Sequence, residues 1–239
     1  MTDEKKIDIV LAGQGNSGKS AVFNFLTGLH QHIGNWAGKT IEKCEGTLFY
    51  KGYTVDVLDL PGIYSLTTYS IEELISREHI INQHPDCVVN IVDSTNLERS
   101  LIFTLQLLEL QCPVILVLNM IDLAKGKGMA IDIRQLQAKL NIPVVQTVAR
   151  RGKGLTRLID KVIELKEKKT DRKIHKYGKE IEKAIKQLSD LLIDTDNIYP
   201  VRWMAIKLLE KDNDITEHIR KKKPEILEKV NQLAADLEE

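Results

Sequence analysis

The sequence predicts an α/β domain, a mostly parallel six-stranded sheet with helices on both faces, followed by a small all-α domain. Three observations predict it. Short β-branched runs such as Cys87–Val92 and Val114–Leu118 are too apolar to be half-exposed strands, and helix-length stretches separate them. A glycine-rich turn, Gly13–Ser20, joins the first such run to a helix. Beyond residue 168 the composition changes: residues 161–239 carry 18 basic and 17 acidic side chains, and thirteen of the fourteen glycines lie before residue 155. Dense mixed charge with few glycines indicates helices.

In chain order, Ile7–Ala12 is an apolar strand ending at a glycine, and Ser20–Leu29 has helical character. Glu42–Tyr50 and Tyr53–Leu58 flank Lys51-Gly52, which predicts a hairpin and one antiparallel edge. The second of these runs on through Val55–Leu60 to Pro61-Gly62. Cys87–Val92, Val114–Leu118 and Ile142–Val145 complete the strands. Leu97–Leu110 and Leu155–Glu167 show helical spacing, with Leu101, Leu105 and Leu108 expected against the sheet. Ile181, Ile185, Leu188 and Leu192 recur at helical spacing; residues 194–197 suit a turn, and Pro200 and Pro224 suit helix starts. The expected domains are residues 1–168 and 169–239, the second with three to four helices.

Composition bounds the function. The chain has 239 residues, 34 basic and 34 acidic, with 43% hydrophobic and 28% charged. A zero balance argues against non-specific binding to nucleic acid or anionic membrane over the whole surface. Cys44, Cys87 and Cys112 are far apart and lack zinc spacing, which suits reduced thiols in a cytosolic setting. No apolar run approaches the roughly 20 residues of a spanning helix. The charged N-terminus is neither signal nor transit peptide, so a soluble chain is expected.

The chemistry lies at strand ends. Gly13-Gln14-Gly15-Asn16-Ser17-Gly18-Lys19-Ser20 satisfies both GxGxxG and GxxxxGKS. A dinucleotide reading leaves Lys19-Ser20 unexplained; a P-loop uses every residue, with backbone amides around the β-phosphate, Lys19 on the β/γ oxygens and Ser20 on magnesium. Asp59 and Gly62 form a DxxG at a strand end, a carboxylate for the magnesium shell and an amide for a γ-phosphate. Asn119-Met120-Ile121-Asp122 follows another strand. Asp122 can accept from guanine N1–H and the 2-amino group together, whereas adenine would leave it unpaired. Asn119 would brace the loop, and Val148-Ala149-Arg150 can present an amide to the base oxygen. The four pieces in this order point to GTP or GDP.

These elements resemble the G domain of small GTPases, and the first switch is more particular. Ile33-Gly34-Asn35-Trp36-Ala37-Gly38-Lys39-Thr40-Ile41-Glu42 is similar to the GNWPGVTVE stretch of FeoB, the prokaryotic ferrous-iron transporter with an N-terminal cytosolic GTPase. Asp59-Leu-Pro-Gly-Ile-Tyr-Ser-Leu66 is similar to that family's DLPGxYSL, and Tyr199-Pro-Val-Arg-Trp203 resembles a motif of its helical domain. The resemblance covers essentially the whole chain. Gly15, Ala37, Lys39, Val148 and Met120 depart from the usual pattern, and losing the packing of the usual NKxD lysine at Met120 suggests fast nucleotide release. The resemblance implies a P-loop GTPase fold with a GDI-like helical domain, at the inner face of the cell membrane beside the transmembrane part of the same transporter. It implies that residues 13–21, Ala21 included, with Gly38, Thr40, Asp59, Gly62, Asn119, Met120, Asp122 and Val148–Arg150, hold the nucleotide. Magnesium would fall to Ser20, Thr40 and Asp59.

The residue that usually orients the attacking water is here Ile63, and no arginine finger stands in the switches. By resemblance to potassium-activated GTPases, Asn16 and the backbone carbonyls of Gly34 and Trp36 would hold K⁺, so Lys19, Thr40, Gly62 and Asn16 form the expected catalytic set. His30 and His32 are expected to be solvent-exposed, and Arg220–Lys223 to be a solvated helix end. A ribosome-assembly GTPase is the alternative, disfavoured by a nearly neutral C-terminal part; a nucleotide-binding adaptor that never turns over is another. No nucleic-acid partner is expected, and a homo-oligomer stays open.

Overall fold

The computed structural model describes residues 5–28, 30–66, 70–168, 176–195 and 199–238. The chain runs β1 (Lys5–Gly13), α1 (Lys19–Thr27), β2 (Gln31–Asn35), β3 (Glu42–Tyr50), β4 (Tyr53–Asp59) and α2 (Ile71–Gln83). Then come β5 (Cys87–Asp93), α3 (Leu97–Glu109), β6 (Val114–Asn119), α4 (Ile121–Gly126), α5 (Ile133–Leu140), β7 (Val144–Gln146) and α6 (Leu155–Glu167). The C-terminal helices are α7 (Lys179–Leu192), α8 (Val201–Leu209), α9 (Asn213–Lys222) and α10 (Ile226–Glu238).

The sheet has seven strands, not six, in the order β2-β3-β4-β1-β5-β6-β7. The additional strand is Gln31–Asn35, which pairs antiparallel with β3, Ile33 opposite Cys44. Every one of its residues but Gly34 is exposed, so no hydrophobic pattern marked it. β3 and β4 form the predicted antiparallel hairpin, and β4, β1, β5, β6 and β7 are parallel. β1 lies between β4 and β5, so the chain leaves it at the crevice where connections run to both sides, the usual ligand position of an open α/β sheet.

Both faces are covered. α1 and α6 place Val22, Phe23, Leu26, Leu155, Leu158 and Val162 against Ile7, Ile9 and Leu11 of β1. On the other face Phe103 and Leu107 of α3 are fully buried, and the half-buried Leu101 and Leu108 pack against the cores there as expected, with Leu105 also half-buried. This second core continues without a break into the C-terminal helices through Leu188, Trp203, Met204 and Leu208. Trp203 is core, as its sequence context suggests. Within the predicted 194–197 turn, Thr195 donates its hydroxyl to the Leu192 carbonyl, and Asp196 and Asn197 lie outside the described residues.

Ion pairs cross the same junction. Arg202 of α8 donates to Glu109 of α3 at 3.1 Å and to Glu182 of α7 at 2.8 Å. Arg77 of α2 donates to Asp214 of α9. α2, the helix that follows the DxxG segment Asp59–Leu66 (the second switch), is therefore tied to the C-terminal helices by a charge and by shared core.

Candidate functional site

The P-loop turns on two glycines that admit no side chain. A Cβ on Gly13, at φ 154, would lie 2.3 Å from the Ile91 carbonyl oxygen. One on Gly18, at φ 88, would lie 2.2 Å from Asn119 Nδ2. A Cβ on Gly15, which departs from the usual proline, would meet only the Tyr64 hydroxyl, at 3.9 Å. The loop closes on the second switch: the Ile63 amide donates to the Gly13 carbonyl at 3.2 Å, and a Cβ on Gly62 would sit 3.4 Å from Gly15 N. Ser17 is buried and its Oγ has no hydrogen-bond partner among the described residues.

Lys19 Nζ donates to Asp59 Oδ1 at 2.5 Å. Burial pushes the Asp59 carboxyl above its ordinary value, and the Lys19 charge opposes that rise. Ser20 is exposed at the start of α1, and Thr40 is exposed after β2. Hydroxyls and a carboxylate at a glycine cradle with one orphaned hydroxyl are hard-oxygen donors suited to a magnesium–phosphate ligand. Ile63, at the position where a glutamine would reach the water, is buried in the core and projects no polar group.

The base end is organised by Asn119, which is buried. Its Nδ2 donates to the Ser17 carbonyl at 2.9 Å, and its Oδ1 accepts from the Ala149 amide at 3.0 Å and the Thr147 hydroxyl at 3.0 Å. Its backbone carbonyl accepts from Ser94 Oγ at 2.6 Å. Asn119 thus braces the loop as expected, tying the P-loop to the segment after β7. Asp122 is exposed in the first turn of α4, free to meet a ligand edge. The Ala149 amide is committed to Asn119 and the Val148 amide to the Lys153 carbonyl. The Arg150 amide lies in the first turn of a 3₁₀ segment, where helical bonding supplies no acceptor.

Met120 Cε lies 3.7 Å from where a Cβ on Gly18 would stand, so the methionine neighbours the P-loop glycine. Ser94 and Thr147 are residues that motif reading missed. Their signals were position, since Ser94 follows the C-terminal end of β5 and Thr147 directly precedes Val148-Ala149.

The expected potassium ligands are not gathered. Gly34 sits in the β2–β3 ladder opposite Lys43, and β3 and β4 separate β2 from β1. Three strand spacings put it roughly 14 Å across the sheet from the P-loop strand. The Trp36 carbonyl accepts the Lys39 amide at 2.9 Å, and its ring packs edge-on against His79 of α2, centroids 5.3 Å apart. Asn16 is exposed in the loop at φ 64, and Gly38 stands clear of neighbours at φ 68. His30 and His32 are exposed, and no group of three or more His, Cys, Asp or Glu among the described residues could hold a metal ion. Arg220–Lys222 close α9, where cations favour the helix dipole.

Comparison with known proteins decides the family. The profile described as "Ferrous iron transport protein B" matches residues 7–162, and that described as "FeoB cytosolic helical domain" matches residues 177–239. The chain belongs to the FeoB family. It comprises the family's N-terminal cytosolic G domain and helical domain. Over 220 residues it is 41% identical to the Fe(2+) transport protein A/Fe(2+) transporter FeoB fusion protein of Porphyromonas gingivalis, covering 89% of this chain and 26% of that protein. To the Fe(2+) transporter FeoB of Escherichia coli K12 it is 39% identical over 212 residues, 87% of this chain and 27% of that one. The chain therefore spans about a quarter of the length of these FeoB relatives. The crystal structure of the cytosolic domain of the T. maritima FeoB iron transporter in its GMPPNP form is 40% identical, with TM-score 0.85, covering 96% of this chain and 93% of that one. A GDP-bound point mutant of the S. thermophilus FeoB G-domain is 34% identical, with TM-score 0.88, covering 97% and 90%. A FeoB helical domain thus stands where the alternative required an RNA-binding appendage. No helix among the described residues is long and apolar enough to cross a membrane.

Proposed function

We propose that this chain binds GTP and GDP, hydrolyses GTP, and through its switches regulates ferrous-iron uptake by the transmembrane part of a FeoB transporter. The observation that carries the reading is Asn119, whose side chain joins the P-loop at Ser17 to the base-side loop at Ala149. That bridge is what a site spanning from phosphate to guanine requires. The nucleotide complexes of the T. maritima and S. thermophilus relatives support it. The division after Lys168 is part of the proposal, supported by family matches that end at 162 and resume at 177.

Lys19 exchanges Asp59 for the β/γ oxygens, and the Gly62 amide, packed on Gly15, faces the γ-phosphate. Ser20, Thr40 and Asp59 would hold magnesium, which when bound neutralises phosphate charge. Asn16, Gly34 and Trp36 would hold potassium, whose charge would offset that developing between the β- and γ-phosphates. For Gly34 and Trp36 to take that part, β2 must leave β3 and the Trp36–Lys39 turn must open. The first switch would then be strand-paired in one state and folded over the phosphates in the other.

Competition binding and phosphate release test this directly. GTP and GDP should displace a fluorescent guanine nucleotide where ATP does not, and phosphate should be released only with magnesium present. Equal displacement by ATP would remove the guanine reading, and binding without any turnover would leave the adaptor alternative.

A further inference from the structure

The turn that aims Asp122 is conformationally expensive. Met120 stands at φ 57 and ψ 32, in the left-handed region. Any side chain suffers there from the clash between its Cβ and backbone that glycine avoids. Such a turn persists only where its surroundings hold it. The side chain of Asn119 ties this loop to the P-loop, but the peptide groups on either side of Met120 are held by residues outside the motif.

We propose that the hydroxyls of Ser94 and Thr147 hold this turn, and thereby set guanine selectivity and the rate at which nucleotide leaves. The proposal rests on the guanine-nucleotide reading above. Ser94 Oγ donates at 2.6 Å to the carbonyl oxygen of Asn119. That carbonyl belongs to the peptide plane entering Met120, and rotating this plane is what changes φ at Met120. Thr147 grips both sides of the turn. Its hydroxyl donates to Asn119 Oδ1 at 3.0 Å, and its carbonyl accepts the Ile121 amide at 3.4 Å. Its own amide donates to the Leu118 carbonyl at 2.9 Å.

Ser94 and Thr147 are buried, at 0% and 1% exposure, so neither hydroxyl can touch a nucleotide. They are positioning residues. Without them the Asn119–Met120 peptide can rotate, α4 loses its starting angle, and Asp122 leaves the edge of the base. The register permits this only because β5 and β6 end level, Asp93 opposite Asn119, which puts Ser94 beside the turn. Asp93 accepts from the Thr95 amide at 2.8 Å and so fixes the turn that carries Ser94.

The test compares dissociation of fluorescent GDP and IDP from the full chain, IDP lacking the 2-amino group that Asp122 would accept. Ser94→Ala and Thr147→Val should each speed GDP release roughly five- to fiftyfold, the size of one lost hydrogen bond. The GDP-over-IDP preference should fall by a similar factor, while Thr147→Ser stays within about twofold of the parent. Should Ser94→Ala not fold, Ser94→Cys keeps the volume with a weaker donor and should shift release the same way. A second arm uses Met120→Gly, since glycine adopts the turn without penalty. In that background Ser94→Ala should change release less than about twofold. Unchanged release and selectivity in the single variants would overturn the proposal, as would a full-sized Ser94→Ala effect in the Met120→Gly background. A parent protein that fails to prefer guanine over adenine nucleotides would instead overturn the site reading beneath it.

Discussion

Lys19 and Asp59 hold one another across the mouth of the P-loop at 2.5 Å, with side chains only 11% and 12% exposed. The residues assigned to phosphate and to magnesium satisfy each other before either ligand arrives. In the proposed site nucleotide entry would be an exchange of partners, not the desolvation of a bare ammonium, and the carboxylate would be released for a metal by the same event. Lys19→Ala should strand a carboxylate that burial already disfavours and lower stability of the nucleotide-free protein by about 1–3 kcal/mol. Adding Asp59→Asn should recover most of the loss. Urea denaturation without nucleotide measures both, and a double variant as unstable as Lys19→Ala would mean that the pair contributes nothing.

Asp122 is exposed, and the proposed guanine site gives it the edge of the base as its partner. Asp122→Asn should weaken GTP binding by roughly 1.5–3 kcal/mol, the size of a charged hydrogen bond, with little effect on folding. Xanthosine triphosphate should bind the variant better than GTP, because its 2-oxo group meets an amide donor. Competition with both nucleotides checks this. Retained guanine preference would place the base elsewhere.

Burial explains which parts could be read from residues alone. β1, β5 and β6 are covered on both faces, so their apolar runs announced them; β2 is a nearly fully exposed edge held by backbone pairing, which no side-chain pattern records. The P-loop, Asp59, Asn119 and Asp122 were legible because phosphate and guanine chemistry restricts both residue type and spacing. Ser94 and Thr147 were not, since their bonds to Asn119 depend on β5, β6 and β7 ending side by side.

His218 carries a stability signal in the helical domain. Its Nε2 is buried without a hydrogen-bond partner among the described residues, and burial and Lys222 hold its pKa below the ordinary imidazole value. The unfolded chain then binds the proton more readily, so stability rises with pH and levels off above about 6.5. Thermal unfolding between pH 5.5 and 7.5 should show that rise, and His218→Gln should flatten part of it. A slope unchanged by the substitution would assign the effect to another group.

The proposal of potassium activation rests on two absences, the buried Ile63 in place of a glutamine and the lack of an arginine in the switches. An arginine finger supplies roughly 10³–10⁵ in rate where one exists, and a fixed monovalent cation could supply part of that. Phosphate release should be faster in potassium than in sodium at equal ionic strength. Asn16→Ala should erase the difference while leaving GDP binding nearly intact, because Lys19 and the amide cradle remain. Equal rates of the parent protein in both salts would end the potassium reading.

Arg77 tests what its ion pair is worth. Its side chain is fully buried beside the stacked rings of Tyr199, 5.2 Å away, and Trp203, 5.4 Å away, and it donates to Asp214. Asp212 stands 4.0 Å from Nη1, yet Nε and Nη1 have no hydrogen-bond partner among the described residues. A buried cation with orphaned donors recovers little of its desolvation cost, so its volume and stacking matter as much as its charge. Arg77→Ala loses all of this and should cost about 3–5 kcal/mol. Arg77→Met keeps the volume against both rings, and Asp214 is exposed enough to be hydrated, so its cost should stay below about 1.5 kcal/mol. Equilibrium denaturation of the two variants distinguishes the cases. If methionine proved as damaging as alanine, charge would dominate the contact, and the second-switch helix would be anchored to the helical domain by electrostatics and not by packing.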